Sequence, residues 1–303
     1  MTANTQATAK IMNHAEQSKS LNSPEHSAQI IGSILVKSGR LTPDGAERIH
    51  HKQRESNLLF GETGISMGLI SNEDVQYAIT KQFEYTVLKK GESAISENVV
   101  CAYHPFGRKS EAFRQLRTHL LLRWLETDPA AKSLSVVSTC RQEGRSYVAA
   151  NLAVSFSQLG YRVLLVDTDL RNSSLHKYFG LSNRQGLSSI LAGKGNENAI
   201  IQIPEIRNLS FLPAGPLPPN PQELLSQTRF SVLLEELSSH FDLVILDTPA
   251  SRLYSDAAAV SSRSNASILV TREGQSKVGY IRELQDSMVK TGVNLLGSVL
   301  LEF

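Results

Sequence analysis

Six short aliphatic or β-branched runs mark the last two thirds of the chain, each separated from the next by a stretch long enough for a helix. They read SLSVVS (133–138), YRVLLVD (161–167), NLSFLP (208–213), FDLVILD (241–247), ASILVT (266–271) and LLGSVLL (295–301). Strands that alternate with helices call for an α/β fold, a doubly wound and mostly parallel sheet covered on both faces. Composition narrows the surroundings. The 303 residues suffice for two domains, and 41% hydrophobic with 20% charged residues is ordinary for a globular protein. A net charge of +2 gives no argument for nucleic acid or a membrane surface. Two cysteines, Cys101 and Cys140, with no C-x-x-C, fit a reducing compartment and no structural zinc. No apolar run approaches a membrane span, and MTANTQATAKIMNHAEQ lacks the apolar core of a signal peptide, so a cytoplasmic location is expected.

The stretch CRQEGRSYVAANLA (140–153) follows the first run and opens a helix. A turn ending in Gly144, a basic Arg145 and then Ser146 has the form of a phosphate cradle, in which loop N–H groups and a helix N-terminus face an anion. The P-loop pattern G-x-x-x-x-G-K-[ST] is met only at Gly144 and Ser146, so taken alone the stretch could be an ordinary strand–turn–helix. The next runs add acids. LLVDTDLR ends in Asp167 and Asp169, and FDLVILDTPA ends in Asp247 before Thr248-Pro249. Carboxylates at the carboxyl edge of such a sheet can hold Mg²⁺ or accept a proton from a hydroxyl nucleophile, while the plain alternative is polar residues ending a strand. Asp242, ahead of its run, reads as a solvated turn residue.

The front of the chain is different. Residues 1–27 read as a polar tail, 28–85 as a small all-helical domain, 86–108 as a linker and 109–303 as the α/β domain. Within the helical part IIGSILVKSGRLTPDGAERIHHKQ (30–53) matches LFGETGISMGLISNEDVQYAITKQ (59–82), with Gly32 against Gly61, Gly39 against Gly68 and Thr42 against Ser71. Each half predicts a short helix, a glycine turn and a capped helix, with Thr42-Pro43 and Ser71…Asp74 as the starts. This part resembles the N-terminal domain of type II secretion and pilus assembly ATPases, some of which bind cyclic di-GMP. Their repeats usually begin Arg-Leu-Gly; here the triplets are Ile30-Ile31-Gly32 and Leu59-Phe60-Gly61, so a docking module without ligand is the alternative.

The α/β part resembles the bacterial tyrosine kinases, P-loop proteins related to partition and septum-site ATPases. Three apolar residues precede D-x-D-x-R at Asp167, Asp169 and Arg171, and three precede D-x-P at Asp247. EAFRQLRTHL matches the family's E-x-x-R-x-x-R self-association helix at Glu111, Arg114 and Arg117, and LPAGPLPPNPQELL (212–225) also fits. The whole resembles the kinase that accompanies a membrane-bound chain-length determinant in exopolysaccharide operons. That resemblance implies ATP or ADP with Mg²⁺. Nucleotide contacts are expected from Glu143, Gly144, Arg145, Ser146, Tyr147 and Arg171, metal ligation from Ser146, Asp167 and Asp247, and catalysis from Asp167, Asp169 and Arg145. It also implies recruitment to the inner membrane by the chain-length determinant, self-assembly into a ring or head-to-tail oligomer, and no nucleic acid.

Three departures bear on activity. Arg145 replaces lysine, and guanidinium is wider and planar where ammonium is a compact point charge. Gln142 stands where the subgroup's Gly-Glu-Gly-Arg-Ser has its first glycine. The sequence ends VLLEF, with Leu301 in place of a base-side asparagine, and no tyrosine cluster follows Tyr280. An ATP-dependent tyrosine kinase is therefore expected, with a nucleotide-gated scaffold as the alternative and a partition-type ATPase as a distant third.

Overall fold

The computed structural model describes residues 24–56, 58–82, 87–128 and 130–302. The chain divides into two compact units, Met1–Tyr85 and Thr86–Phe303. Most of the tail read at 1–27 lies outside the described residues.

The first unit holds α1 (Pro24–Lys37), α2 (Pro43–Glu55), α3 (Phe60–Ser66) and α4 (Asn72–Gln82). The repeat is visible in the turns: Gly39 (φ 71°) and Gly68 (φ 66°) end the first helix of each half in the left-handed region, where a side chain would be strained. Both anticipated starts form. Thr42 Oγ1 accepts the Gly45 N–H at 3.1 Å, and Ser71 and Asp74 cap each other reciprocally, Asp74 N–H to Ser71 Oγ at 3.1 Å and Ser71 N–H to Asp74 Oδ2 at 3.0 Å. Leu35, Ile49, Phe60, Ile70 and Ala78 meet in its core.

The second unit begins earlier than the sequence reading placed it. Residues 87–108, read as a linker, carry helix α5 (Val100–Tyr103), and Ile95, Val99, Cys101 and Tyr103 lie in the main core of the unit. The stretch is short of periodicity, but its apolar residues are too numerous to stay in water once a neighbouring helix offers a partner. After α6 (Arg108–Leu120) and a π-turn (Leu121–Leu125) come β1 (Ser133–Val137), α7 (Arg145–Gln158), β2 (Val163–Asp167), α8 (Leu175–Tyr178), α9 (Leu187–Leu191), β3 (Ile201–Gln202) and β4 (Leu209–Leu212). Then follow α10 (Pro221–Ser226), α11 (Thr228–His240), β5 (Leu243–Asp247), α12 (Asp256–Ser261), β6 (Ala266–Arg272), α13 (Val278–Lys290) and β7 (Leu295–Leu301).

The sheet order is β3-β4-β2-β5-β1-β6-β7, parallel throughout except for β3, which pairs antiparallel with β4. All six expected strands are present. The two-residue β3 was not anticipated. The central strands are buried on both faces: Val163, Leu165, Leu243 and Ile245 face the core shared with α7, and Leu164, Val166, Val244 and Leu246 face the one shared with α11. β1 therefore lies mid-sheet between β5 and β6, and the turns leaving β1, β2 and β5 meet at one carboxyl edge.

Candidate active site

The loop from β1 to α7 is folded by its own side chains. Gly144 (φ 92°) starts α7, and Gln142 takes φ 62°, a left-handed conformation that costs a non-glycine residue about 1–2 kcal/mol. Glu143 is fully buried; it accepts bonds from Thr139 Oγ1 (2.9 Å), the Cys140 N–H (2.6 Å) and Ser276 Oγ (2.5 Å). Its carboxylate closes the loop and Glu143 does not line the cavity, which corrects the expectation of a nucleotide contact there. The loop carbonyls are held from outside as well, Gln142 O by Arg272 Nη1 (3.0 Å) and Arg141 O by Gln275 Nε2 (2.8 Å). Gly144, Arg145, Ser146 and Tyr147 line the cavity at the start of α7, where the N–H groups of a helix's first turn are open to an anion.

Arg145 is the second correction. It borders the cavity, but the residue is buried and its guanidinium bonds protein acceptors. Nε donates to Thr248 O at 2.7 Å, and Nη1 to Ser138 Oγ at 2.5 Å and Cys140 O at 3.0 Å. In this structure it staples the end of β1, the loop and the turn after β5, and does not extend toward a phosphate. The wide planar fork that suits it poorly to a lysine's post is what lets it span three acceptors.

The acids meet as anticipated. Asp167 and Asp247 stand in register on adjacent strands, both buried. Asp247 Oδ2 accepts from Ser146 Oγ at 2.6 Å, while Oδ1 is buried with no hydrogen-bond partner among the described residues. Asp167 Oδ2 accepts from Ser173 Oγ (2.8 Å), and Oδ1 from the Asp169 N–H (3.0 Å). Burial pushes both carboxyls up, Asp167 well above the ordinary range with a further push from Asp247, and Asp247 to about 6 despite the opposing Arg145 charge. A buried carboxylate oxygen without a partner, beside a serine hydroxyl and a second carboxylate, is a hard oxygen donor set that fits Mg²⁺. No group of three or more His, Cys, Asp or Glu is arranged to hold a metal among the described residues, so such a cation would complete its shell with phosphate or water oxygens.

Asp169 is partly exposed and lines a cavity of about 310 Å³ together with Gly144, Arg145, Ser146, Tyr147 and Tyr178. Its Oδ1 accepts the Asn172 N–H at 2.8 Å, which fixes the turn. Tyr147 buries its ring against Phe113 (centroids 5.7 Å apart), and burial lifts its phenol to about 12, so the residue offers the site its backbone and ring edge. Arg171 is the third correction. It leaves the cavity and pairs with the fully buried Asp256 (2.7 Å), its guanidinium lying 4.1 Å from the Tyr254 ring centroid. A buried carboxylate without a cation would be costly, and α12 brings one within reach.

The three residues of the expected association face separate. Glu111 and Arg114 pair on α6 (2.8 Å), with Arg114 also reaching Pro105 O, whereas Arg117 is buried and donates to Ser155 O on α7 at 2.5 Å. Arg117 is a helix-packing residue and is not open to a second copy. At the other edge, the Leu301 carbonyl accepts the Glu273 N–H at 3.0 Å, continuing the β6–β7 pairing. Sequence reasoning missed Ser138, Thr139, Thr248, Ser276 and Gln275. Small polar residues in loops carry no pattern that would single them out.

Residues 137–284 match an AAA-domain family. The tyrosine-protein kinase YwqD of Bacillus subtilis is 34% identical over 212 residues, which cover 70% of this chain and 89% of that protein. The tyrosine-protein kinase etk of Escherichia coli K12 is 36% identical over 197 residues, 65% of this chain but 27% of that longer protein. The solved kinase domain of Escherichia coli ETK superposes with a TM-score of 0.66 at 33% identity, covering 72% of this chain and 85% of the domain.

Proposed function

Because the chain belongs to the bacterial tyrosine kinase family, we propose that its α/β unit binds ATP with Mg²⁺ at the carboxyl edge of the sheet and transfers the γ-phosphoryl group to a tyrosine hydroxyl. The observation that carries this reading is the Ser146–Asp247 hydrogen bond beside the unpartnered Asp247 Oδ1. Mg²⁺, when bound, would supply charge neutralisation for the phosphates. Ser146 and Asp247 would ligate it, with Asp167 supporting from the next strand. The N–H groups of Gly144 to Tyr147 bind phosphate oxygens. Asp169, partly exposed in the cavity, orients the incoming hydroxyl and accepts its proton. Arg145 keeps the loop and the Asp247 turn at fixed separation, a positioning role.

A nucleotide-gated scaffold is the second reading, favoured by the same Arg145. A guanidinium bonded to Thr248, Ser138 and Cys140 is not delivering charge to a transferring phosphoryl group. In either form we place the protein in exopolysaccharide chain-length control, recruited to the inner membrane by a chain-length determinant and self-associating through the exposed part of α6. The motif resemblance supports that placement, and the glycine-turned repeat of the helical unit supports a cyclic di-GMP or docking role there. No helix among the described residues is long and apolar enough to cross a membrane. Calorimetry with ADP–Mg²⁺ and transfer of labelled phosphate to tyrosine separate the readings. Binding with transfer is the kinase, binding without transfer the scaffold, and absence of binding at millimolar nucleotide removes both.

A further inference from the structure

A chain of three side chains runs outward from the buried acid pair, through Asp167. Its Oδ1 accepts the Asp169 N–H at 3.0 Å, and its Oδ2 accepts the Ser173 hydroxyl at 2.8 Å and the Leu175 N–H at 3.4 Å. Ser173 Oγ also lies 3.1 Å from Nδ1 of His176, a residue of α8. His176 is partly buried, and burial together with the Lys177 charge holds its pKa below the ordinary range, so at neutral pH the ring carries one proton. The donors can then be counted. A serine hydroxyl has a single proton. Ser173 gives it to Asp167, so its oxygen can only accept from His176, and the ring proton must sit on Nδ1. The order is His176 Nδ1–H to Ser173 Oγ–H to Asp167 Oδ2. Asp247, by comparison, keeps its Oδ1 without a partner among the described residues, whereas both oxygens of Asp167 are held.

Resting on the nucleotide and Mg²⁺ reading above, we propose that His176 is a positioning residue for the cation site, acting through Ser173 to hold the Asp167 carboxylate in one orientation beside Asp247. The need for such a tie follows from the packing. Asp167 and Asp247 stand in register on adjacent strands, and two buried carboxyls side by side repel. The last torsion of an aspartate is soft, so the easiest relief is for Asp167 to rotate. Without the Ser173 hydroxyl, Oδ2 keeps only the long bond from the Leu175 N–H. A hydroxyl that could equally point its proton elsewhere would be a weak restraint. The ring N–H of His176 removes that freedom, because it occupies the serine oxygen as an acceptor and leaves the hydroxyl proton to Asp167. Outer hydrogen-bond partners of this kind change metal affinity or activity about 10- to 100-fold. The same chemistry says which substitute works. Asparagine places an N–H near the position of Nδ1, whereas alanine places none there. His176 also shares α8 with Tyr178, which lines the cavity, so a role in shaping that wall is the competing explanation.

Two measurements test this on the full chain. In the first, protein labelled with ¹⁵N-histidine is studied by long-range ¹H–¹⁵N correlation at pH 8, and the His176 signals are identified by their loss in His176→Asn. The Nδ1–H tautomer is expected, and Ser173→Ala should shift it toward Nε2–H. An Nε2–H tautomer in the wild type overturns this inference and leaves the kinase reading standing, and that result is decisive even where an alanine variant fails to fold. In the second, ADP affinity is measured by calorimetry with Mg²⁺ and with EDTA. His176→Ala and Ser173→Ala should each weaken ADP–Mg²⁺ binding about tenfold and leave metal-free ADP binding within about twofold, while His176→Asn recovers most of the loss. Equal losses with and without Mg²⁺ would assign His176 to the cavity wall alone and overturn the inference. So would a His176→Asn chain that binds as poorly as His176→Ala. Absence of ADP binding by the wild type under both conditions overturns this inference and the nucleotide reading together, whatever the tautomer.

Discussion

The loop side of the cavity and its carboxylate side use charge in opposite ways. On the loop side Glu143 and Arg145 are both buried and both hydrogen-bonded to protein partners, so these side chains hold the loop's own shape. On the carboxylate side Asp247 keeps one oxygen without a partner, and two carboxyls sit side by side with pKa values raised by burial. The first side is complete without a ligand; the second is under electrostatic tension that a cation would relieve. With Arg145 bonded to the protein, neutralising phosphate charge would fall to a cation held by the acids.

The largest effect should come from breaking the tense side. Asp247→Asn should lower phosphoryl transfer about a thousandfold, on the scale by which single charge-stabilising groups act in phosphoryl transfer. The same change should not unfold the metal-free protein. Its carboxyl is raised from 3.8 to about 6, so its contribution to stability is present below about pH 4 and lost as pH rises through 6. Thermal melts of metal-free wild type should show that decline between pH 4 and 6.5, and the Asn variant should reduce it, leaving the part that belongs to the raised Asp167 carboxyl.

Arg145→Lys probes the saturated side. An ammonium cannot span Thr248, Ser138 and Cys140 together, so the variant should lose about 2 kcal/mol in denaturant titration. Transfer activity should rise as the lysine reaches the phosphates. A variant that is destabilised without gaining activity would assign the staple a structural role alone. Gln142→Gly should be milder and of opposite sign, adding up to about 1 kcal/mol, since relief of the left-handed φ is partly offset by the freer unfolded chain. The smallest expected difference is chemical. At pH 8 a small alkylating agent should modify Cys140 and spare Cys101, whose thiol burial pushes to about 12, and mass spectrometry can follow both sites. Arg145→Lys should speed the reaction at Cys140 because the loop around it is freed.

Backbone features of this protein were legible in its sequence to different depths. The six strands were visible because each is an uninterrupted apolar run, and the two helix starts at Thr42 and Ser71 because capping is local chemistry. The meeting of Asp167 and Asp247 followed from strand ends in a parallel sheet, which topology alone brings together. What side chains do with their charge was not legible. Glu143 and Arg171 were expected as nucleotide contacts and Arg117 as part of a self-association face; each instead bonds a partner from a distant segment, Ser276, Asp256 or Ser155 respectively. Two-residue β3 carries too few residues to make a pattern. Residues 87–108 gave no period, since their burial is set by α7 and not by an element of their own.

Helix α7 also receives the incoming chain. Asn151 on this helix takes the Cys101 N–H at 3.0 Å and donates to Asn98 O at 2.9 Å, and about two turns further on Gln158 donates to Cys101 O at 2.8 Å. Viewed mechanically, the helix is a stiff rod gripped at its flank by the strand of chain that leads into the unit, with the phosphate loop mounted on its tip. A tug on residues 98–101 has no slack to take up before it reaches Gly144. Residues 98–101 and the cradle are thereby fastened to one and the same helix.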